Sequence, residues 1–300
     1  MMDNTNLNSI IERVSRVAAL LLAGILGAGL AVAQSLNWDG QTGVFITPLA
    51  YTAASPESGF GRPIVAYHFL NAGAVLGNFN TISVTEGIAG RFEFGYTRDF
   101  HEQGGTAGLS PLWGSGFNIV HAKLNVLKEN AGKQSWAPAI SVGLVVRTQD
   151  PNVSGLLAGP NKTYSNADFY AVASKTITQT KVVPIVLNLG YKATNAQVYG
   201  LAGNAPQYTG RLFGAVAFVF KGPAKSTLIL GSEFSQEPRQ VLNLPGAIVP
   251  TTITYAARIV PLAKQKFNVD FGVAQAAGTI EPGVNLVARH QFALGISYGI

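Results

Sequence analysis

Histidines, one serine between glycines and a set of alternately spaced charges are the residues of this chain with chemistry to offer. Gly295-Ile-Ser297-Tyr-Gly299 matches the G-x-S-x-G pattern of a hydrolase nucleophile elbow. That elbow needs a following helix, then an acid and a histidine downstream. Only Ile300 follows here, so the match is rejected. His68, His121 and His290 fall on or beside predicted strands, and His101 falls in a predicted loop. A barrel hydrolase would need serine, histidine and an acid at one rim, and nothing in the spacing gathers them there. The histidines are therefore read as polar lumen residues. There is no HExxH, no calcium-loop spacing and no cysteine, so no thiolate site or disulfide is available. The expectation is no enzyme, no cofactor and no metal.

The charges carry more. Arg91, Glu93, His121, Lys123, Arg147, Lys192, Glu233, Arg258 and Asp270 lie on the small, polar parity of their segments, opposite an apolar parity. Alternate side chains of a strand point to opposite faces, so these residues are the predicted lumen lining. Arg91, Lys123, Arg147, Lys192 and Arg258 outnumber Glu93, Glu233 and Asp270. In a channel such groups set ion preference and focus the field. In a closed barrel they pair with one another and fill the interior. Both readings stand at this level.

The elements that must position them are strands. In the last eleven residues Phe292, Leu294, Ile296, Tyr298 and Ile300 share one parity. Gln291, Ala293, Gly295, Ser297 and Gly299 share the other. An apolar-out strand at the end of the chain is the expected barrel-closing strand. Counting this one, twelve alternating segments are predicted, over 43–49, 62–70, 89–100, 116–127, 138–148, 167–175, 183–193, 211–221, 226–235, 251–262, 266–275 and 288–300. Residues 80–85 form one more short candidate, which raises fourteen strands as the alternative to twelve. Segment 211–221 is apolar on both parities and leaves its register open. Long connections such as 236–250 and 276–287 alternate with short ones such as 222–225 and 263–265. Outer-membrane barrels place long loops on one side and short turns on the other.

Residues 1–33 have the form of an export signal, with Arg13 and Arg16, an apolar run from Val17 to Leu30, and Ala31-Val32-Ala33 before the cut. The expected mature chain is 34–300, one barrel domain. Charged residues are 12% of the chain while mean hydropathy is +0.24. No segment after the signal is apolar enough to span as a helix, so the apolar residues are spread in alternation. Backbone groups in lipid must pair, which obliges the strands to close into a ring. The net charge of +6 is scattered rather than clustered, and nucleic acid is not an expected partner.

Leu36-Asn-Trp-Asp-Gly-Gln-Thr-Gly-Val-Phe-Ile-Thr-Pro-Leu-Ala-Tyr-Thr-Ala53 resembles the opening of a family of bacterial outer-membrane proteins of unknown function. Thr42 to Ala50 is similar to barrels associated with exopolysaccharide export. Thr85-Glu-Gly-Ile-Ala-Gly-Arg-Phe-Glu93 is similar to a G-x-x-D-R-x-E periplasmic turn, with Gly90 where an Asp is common. The resemblance covers most of the mature chain. It implies a barrel and its location but no substrate, and it carries no site over.

The sequence reading is thus an all-β, single antiparallel transmembrane β-barrel of about twelve strands in a Gram-negative outer membrane, reached through the periplasm. Its expected partners are outer-membrane lipid, the barrel-assembly machinery and small solutes. The expected function is a narrow channel or transporter for small solutes, leaning towards anions. The alternative is a structural or envelope-assembly barrel linked to polysaccharide export, without an open pore. Whether residues 34–61 enter the lumen as a plug is not decided by the sequence.

Overall fold

The computed structural model describes residues 35–73, 77–104, 116–149, 165–180, 183–196, 205–237, 251–261, 267–281 and 284–300. The expected signal at 1–33 lies outside them.

Twelve antiparallel strands close into one barrel, each paired with its neighbours in the chain and β1 with β12. They are β1 (Ile64–Asn71), β2 (Gly77–Ile88), β3 (Phe92–Gln103), β4 (Phe117–Leu127), β5 (Ala139–Gln149) and β6 (Ser165–Ile177). The ring continues with β7 (Ile185–Thr194), β8 (Thr209–Lys221), β9 (Thr227–Ser235), β10 (Thr252–Val260), β11 (Phe267–Glu281) and β12 (Val284–Gly299). Closure leaves no strand edge unpaired. An even number of strands brings both ends of the ring to one rim, where the Ile300 amide donates to the Pro63 carbonyl at 3.0 Å.

The parity reading of the faces holds along the wall. Val120, Leu124, Val126, Leu189, Tyr191, Tyr255, Phe271, Phe292 and Tyr298 are exposed outward. Glu93, His121, Lys123, Ser141, Asn188, Thr254 and Ser297 are buried inside. The outer surface is therefore an apolar belt, the face a barrel turns to lipid.

The strand count agrees with the expectation, but its membership differs. Residues 43–49 are not a wall strand. They curl on themselves through a Gly43–Pro48 bridge and the bonds Val44 N–Thr47 O (2.9 Å) and Leu49 N–Thr42 O (3.0 Å). Both parities of this stretch are apolar, so it has no polar face to set against an apolar one. The wall gains β2 instead, which contains 80–85. The expected loop at 276–287 is mostly strand, because β11 and β12 stay paired as far as Glu281 and Val284, with register shifts at Ala274/Ala276 and Thr279/Glu281. β3 likewise extends past residue 100 and takes in His101.

Arg91 is the predicted lining residue that the fold places elsewhere. Ala89 and Gly90 adopt left-handed φ of 52° and 60°, the backbone of a tight hairpin turn. The wall resumes only at Phe92, opposite Ile88. Arg91 is left exposed at the rim, donating to the carbonyls of Asn125 and Val126 at 3.2 Å each.

Candidate functional site

The lumen is occupied by the chain itself. Residues 35–61 precede β1, and Ser35, Leu36, Asn37, Gln41, Thr42, Phe45, Thr47, Leu49 and Ala50 are buried. Clusters of wall side chains hold this segment, and most of the predicted lining residues sit in them.

Glu93 and Lys123 face each other across β3 and β4 with Nζ 3.0 Å from Oε1. Thr42 sits on the pair. Its amide donates to Glu93 Oε1 at 3.1 Å and its hydroxyl to Oε2 at 2.6 Å, while its carbonyl accepts from Lys123 at 3.0 Å. The Ala53 amide donates to the same carboxylate at 2.7 Å. His121 Nε2 lies 3.9 Å from Glu93.

Arg147 on β5 forms a fork to Asp39 of the segment, 2.6 Å from Nη2 and 3.3 Å from Nε. Its Nη1 lies 3.0 Å from Asp168 on β6. Arg258 on β10 pairs with Asp270 on β11 at 2.7 Å. It also donates to the carbonyls of Gly43 and Val44 at 3.1 and 3.0 Å. Ser35 donates to Asp270 at 2.8 Å, and His68 Nε2 meets the Leu36 carbonyl at 3.0 Å.

Glu233 on β9 differs from these. Its carboxylate accepts from the amides of Phe45 (3.1 Å), Ile46 (2.8 Å) and Thr47 (2.8 Å) and from the Thr47 hydroxyl at 2.8 Å. All four donors belong to the inserted segment. Lys192, half-buried, donates to Ser235 at 3.3 Å.

Neutral groups complete the seat. Ala50 donates to Ser174 at 2.8 Å and accepts from Asn125 at 2.9 Å, and Pro48 accepts from Asn188 at 3.1 Å. Gly40 turns with φ +88°, and a Cβ there would stand 2.2 Å from Thr97 Oγ1. Only glycine takes that conformation at that distance.

The inner wall is two-sided. From β1 to β3 it carries His68, Thr81, Ser83, Thr85, Glu93, Thr97 and Asp99. From β5 to β9 it adds to Arg147, Asp168, Asn188 and Glu233 an apolar set, Val145, Tyr170, Val172, Val186, Phe213, Ala217, Val219 and Ile229. Leu49 packs against the Val186, Ala217, Val219 and Ile229 group, with Val44 and Tyr51 beside it. A cavity of about 30 Å³, room for roughly one water, remains between this wall and Val44, Phe45 and Leu49. The apolar wall accounts for segment 211–221, whose inward Phe213, Ala217 and Val219 meet protein rather than water.

Among the described residues the expected excess of inward cations is not there. Asp99 and Asp168 join Glu93, Glu233 and Asp270 on the inner face, and Arg211 takes the place of Arg91. Asp99 shares the parity of Glu93, so alternation alone could have found it. Asp39, Thr42 and Ser35 had no such signal, because they lie outside the alternating strands.

The described histidines of the inner parity serve separate contacts, His68 at Leu36, His121 beside Glu93 and His101 against the Phe79 ring. The His290 side chain is outside the described residues. Among the described residues no group of His, Asp and Glu is arranged to hold a metal ion.

Residues 34–249 match the family model described as "Protein of unknown function (DUF3034)". No curated protein matches the sequence. Among solved structures the chain is similar to the KdgM porin, with 11% identity and a TM-score of 0.45 over 79% of this chain and 99% of that one. It is similar to the NanC porin at 10% identity and a TM-score of 0.49, covering 79% and 100%. An outer membrane channel of the COG4313 group from Pseudomonas putida F1 matches at 13% identity and 0.41, covering 84% and 98%.

Proposed function

The chain belongs to the DUF3034 family, a family of unknown function, and from its interior we propose that it is an outer-membrane channel held shut by residues 35–61. In this reading residues 1–33 are a cleaved export signal and the apolar belt faces outer-membrane lipid. Solutes pass when the inserted segment moves.

One observation carries the reading. The wall charges that touch the segment are largely paired within the wall: Lys123 with Glu93, Arg147 with Asp168, and Arg258 with Asp270. Burying ion pairs costs desolvation that their attraction only partly returns. Replacing the segment by water restores that hydration and leaves each pair intact. A core meant to stay dry gains nothing from such pairs. The balance of inward charges gives no reason for anion selectivity, so the expected selectivity is weak.

The second reading is a structural or envelope-assembly barrel with a fixed plug. The contact of Leu49 with Val186, Ala217, Val219 and Ile229 favours it, because apolar burial opposes release.

Planar-bilayer recording separates the two. The mature chain is expected to be silent. The double variant Glu93→Gln, Glu233→Gln weakens both carboxylates that accept amides of the segment, and it is expected to show discrete steps. A refolded double variant that stays silent although its segment has become accessible to labelling would overturn the channel reading.

A further inference from the structure

Glu233 is seated differently from the other buried charges of the wall. Its cross-strand neighbours are Ala215 and Thr254, neither of them a cation. Among the described residues every hydrogen bond it accepts comes from Phe45, Ile46 and Thr47. Removing the segment therefore strips this carboxylate of every donor found among the described residues, whereas Glu93, Asp168 and Asp270 each keep a wall cation, Lys123, Arg147 and Arg258.

The surface beside Glu233 is apolar and small-featured. Gly231 and Ile229 follow it on the same face of β9, with Ala215, Ala217 and Ala256 alongside. Val44, Phe45 and Leu49 lie on this shelf and leave the cavity described above. The segment thus offers the wall a set of N–H donors converging on one carboxylate, followed by aliphatic bulk. A primary alkylammonium has the same two parts. Its three N–H bonds match the three amides, and its charge neutralises a carboxylate that no wall cation neutralises. Its chain replaces the aliphatic side chains, an apolar contact that water does not provide.

We propose that Glu233 and the Ile229, Gly231, Ala217 and Val186 shelf form a binding site for a primary amine bearing an apolar chain. Such a ligand competes with residues 44–49 and thereby releases the segment. The inference deepens the channel reading and rests on the segment being displaceable.

The chain contains no cysteine, so Ala50→Cys places a unique reporter on the buried segment. The test follows methanethiosulfonate labelling of this full-length mature variant in liposomes with octylammonium, octanoate or methylammonium. Octylammonium is expected to raise the labelling rate about tenfold or more, a shift of the open population. Octanoate has the chain with the wrong head and methylammonium the head without a chain, and both are expected to leave the rate unchanged. Ile229→Asn takes the same aliphatic contact from Leu49 and from the ligand, so it should raise labelling without ligand and shrink the further rise that octylammonium gives. Equal rates with all three compounds overturn the site, as does an equal rise with octanoate. Current through the double variant, together with no octylammonium effect on the Ala50→Cys variant that retains Glu233, removes the site and leaves the channel. Octylammonium-driven labelling in a barrel that never conducts removes the channel and leaves the site.

Discussion

Arg147 and Asp39 lie 108 positions apart in the chain and meet inside the barrel with Nη2 2.6 Å from Oδ2. The guanidinium is shared, since Nη1 reaches Asp168 of the wall at 3.0 Å. The two ends of this contact should therefore respond unequally. Asp39→Asn leaves Arg147 paired with Asp168 and should cost about 1 kcal/mol. Arg147→Ala leaves Asp39 and Asp168 buried together without their cation and should cost about 3–5 kcal/mol. Urea unfolding of the two variants in lipid vesicles measures both. Equal losses would mean that Asp168 does not share the charge.

Gly40 tests the seat from the other side. Its φ of +88° and the 2.2 Å approach of Thr97 leave no room for a methyl group. Gly40→Ala should lift the turn at 37–41 off the wall, breaking the bonds that Thr85 and Thr97 donate to the carbonyls of Gly40 and Asp39. The expected outcome is a heat-modifiable, folded barrel in which Ala50→Cys labels faster, by on the order of tenfold, reflecting strain of about 1–3 kcal/mol. A variant labelled at the wild-type rate would show that residues 37–41 do not help to hold the segment. Gly132, with φ +66° and open space around it, is the control, because Gly132→Ala strains an outer turn only.

The wall was legible in the sequence and its contents were not. Strict alternation in β3, β4, β7, β11 and β12 follows from lipid on one face and a polar interior on the other, which leaves its mark on every second residue. β8 carries Phe213 and Val219 inward because protein, not water, covers them, and its pattern lost contrast for that reason. Residues 43–49 are apolar on both sides because they are surrounded, and surrounded residues resemble a strand when only hydrophobicity is counted. The pairing of Arg147 with Asp39 and of Glu233 with Phe45–Thr47 depends on a turn held by Gly40 and Pro48, for which spacing gives no rule.

The outer belt makes its own prediction. Leu189 is 59% exposed on the outer face of β7, while the adjacent Asn188 is buried inward and donates to Pro48. Leu189→Arg should cost about 2–4 kcal/mol if this position lies near the bilayer midplane. Asn188→Leu should leave membrane insertion unchanged and weaken the hold on the segment, at Pro48 directly and at Ala50 through the loss of the Ser174 bond. Folding yield in liposomes against detergent micelles distinguishes the two, since the Leu189→Arg penalty needs a bilayer. An insensitive Leu189→Arg would place that residue outside the hydrocarbon zone.

Glu237 supplies the pH dependence. It lies beyond the last residue of β9 and is 6% exposed. Thr252 donates to its Oε1 at 2.9 Å, and its Oε2 has no partner among the described residues. Burial pushes its carboxyl above the ordinary value of 4.5, against the opposing pull of Lys192. The folded state therefore holds this proton more tightly than the unfolded chain does. The resulting stability is fully present below pH 4.5 and is lost as pH rises through the folded value. Glu237→Gln keeps the acceptor for Thr252 and has no proton to lose. The variant should match the wild type near pH 4 and exceed it at pH 8 by on the order of 1 kcal/mol, the scale of an unmet buried acceptor. Urea unfolding in vesicles, followed by tryptophan fluorescence across that range, gives the difference directly. A difference that stays flat with pH would mean that the Glu237 carboxylate is ionised and satisfied in the folded barrel.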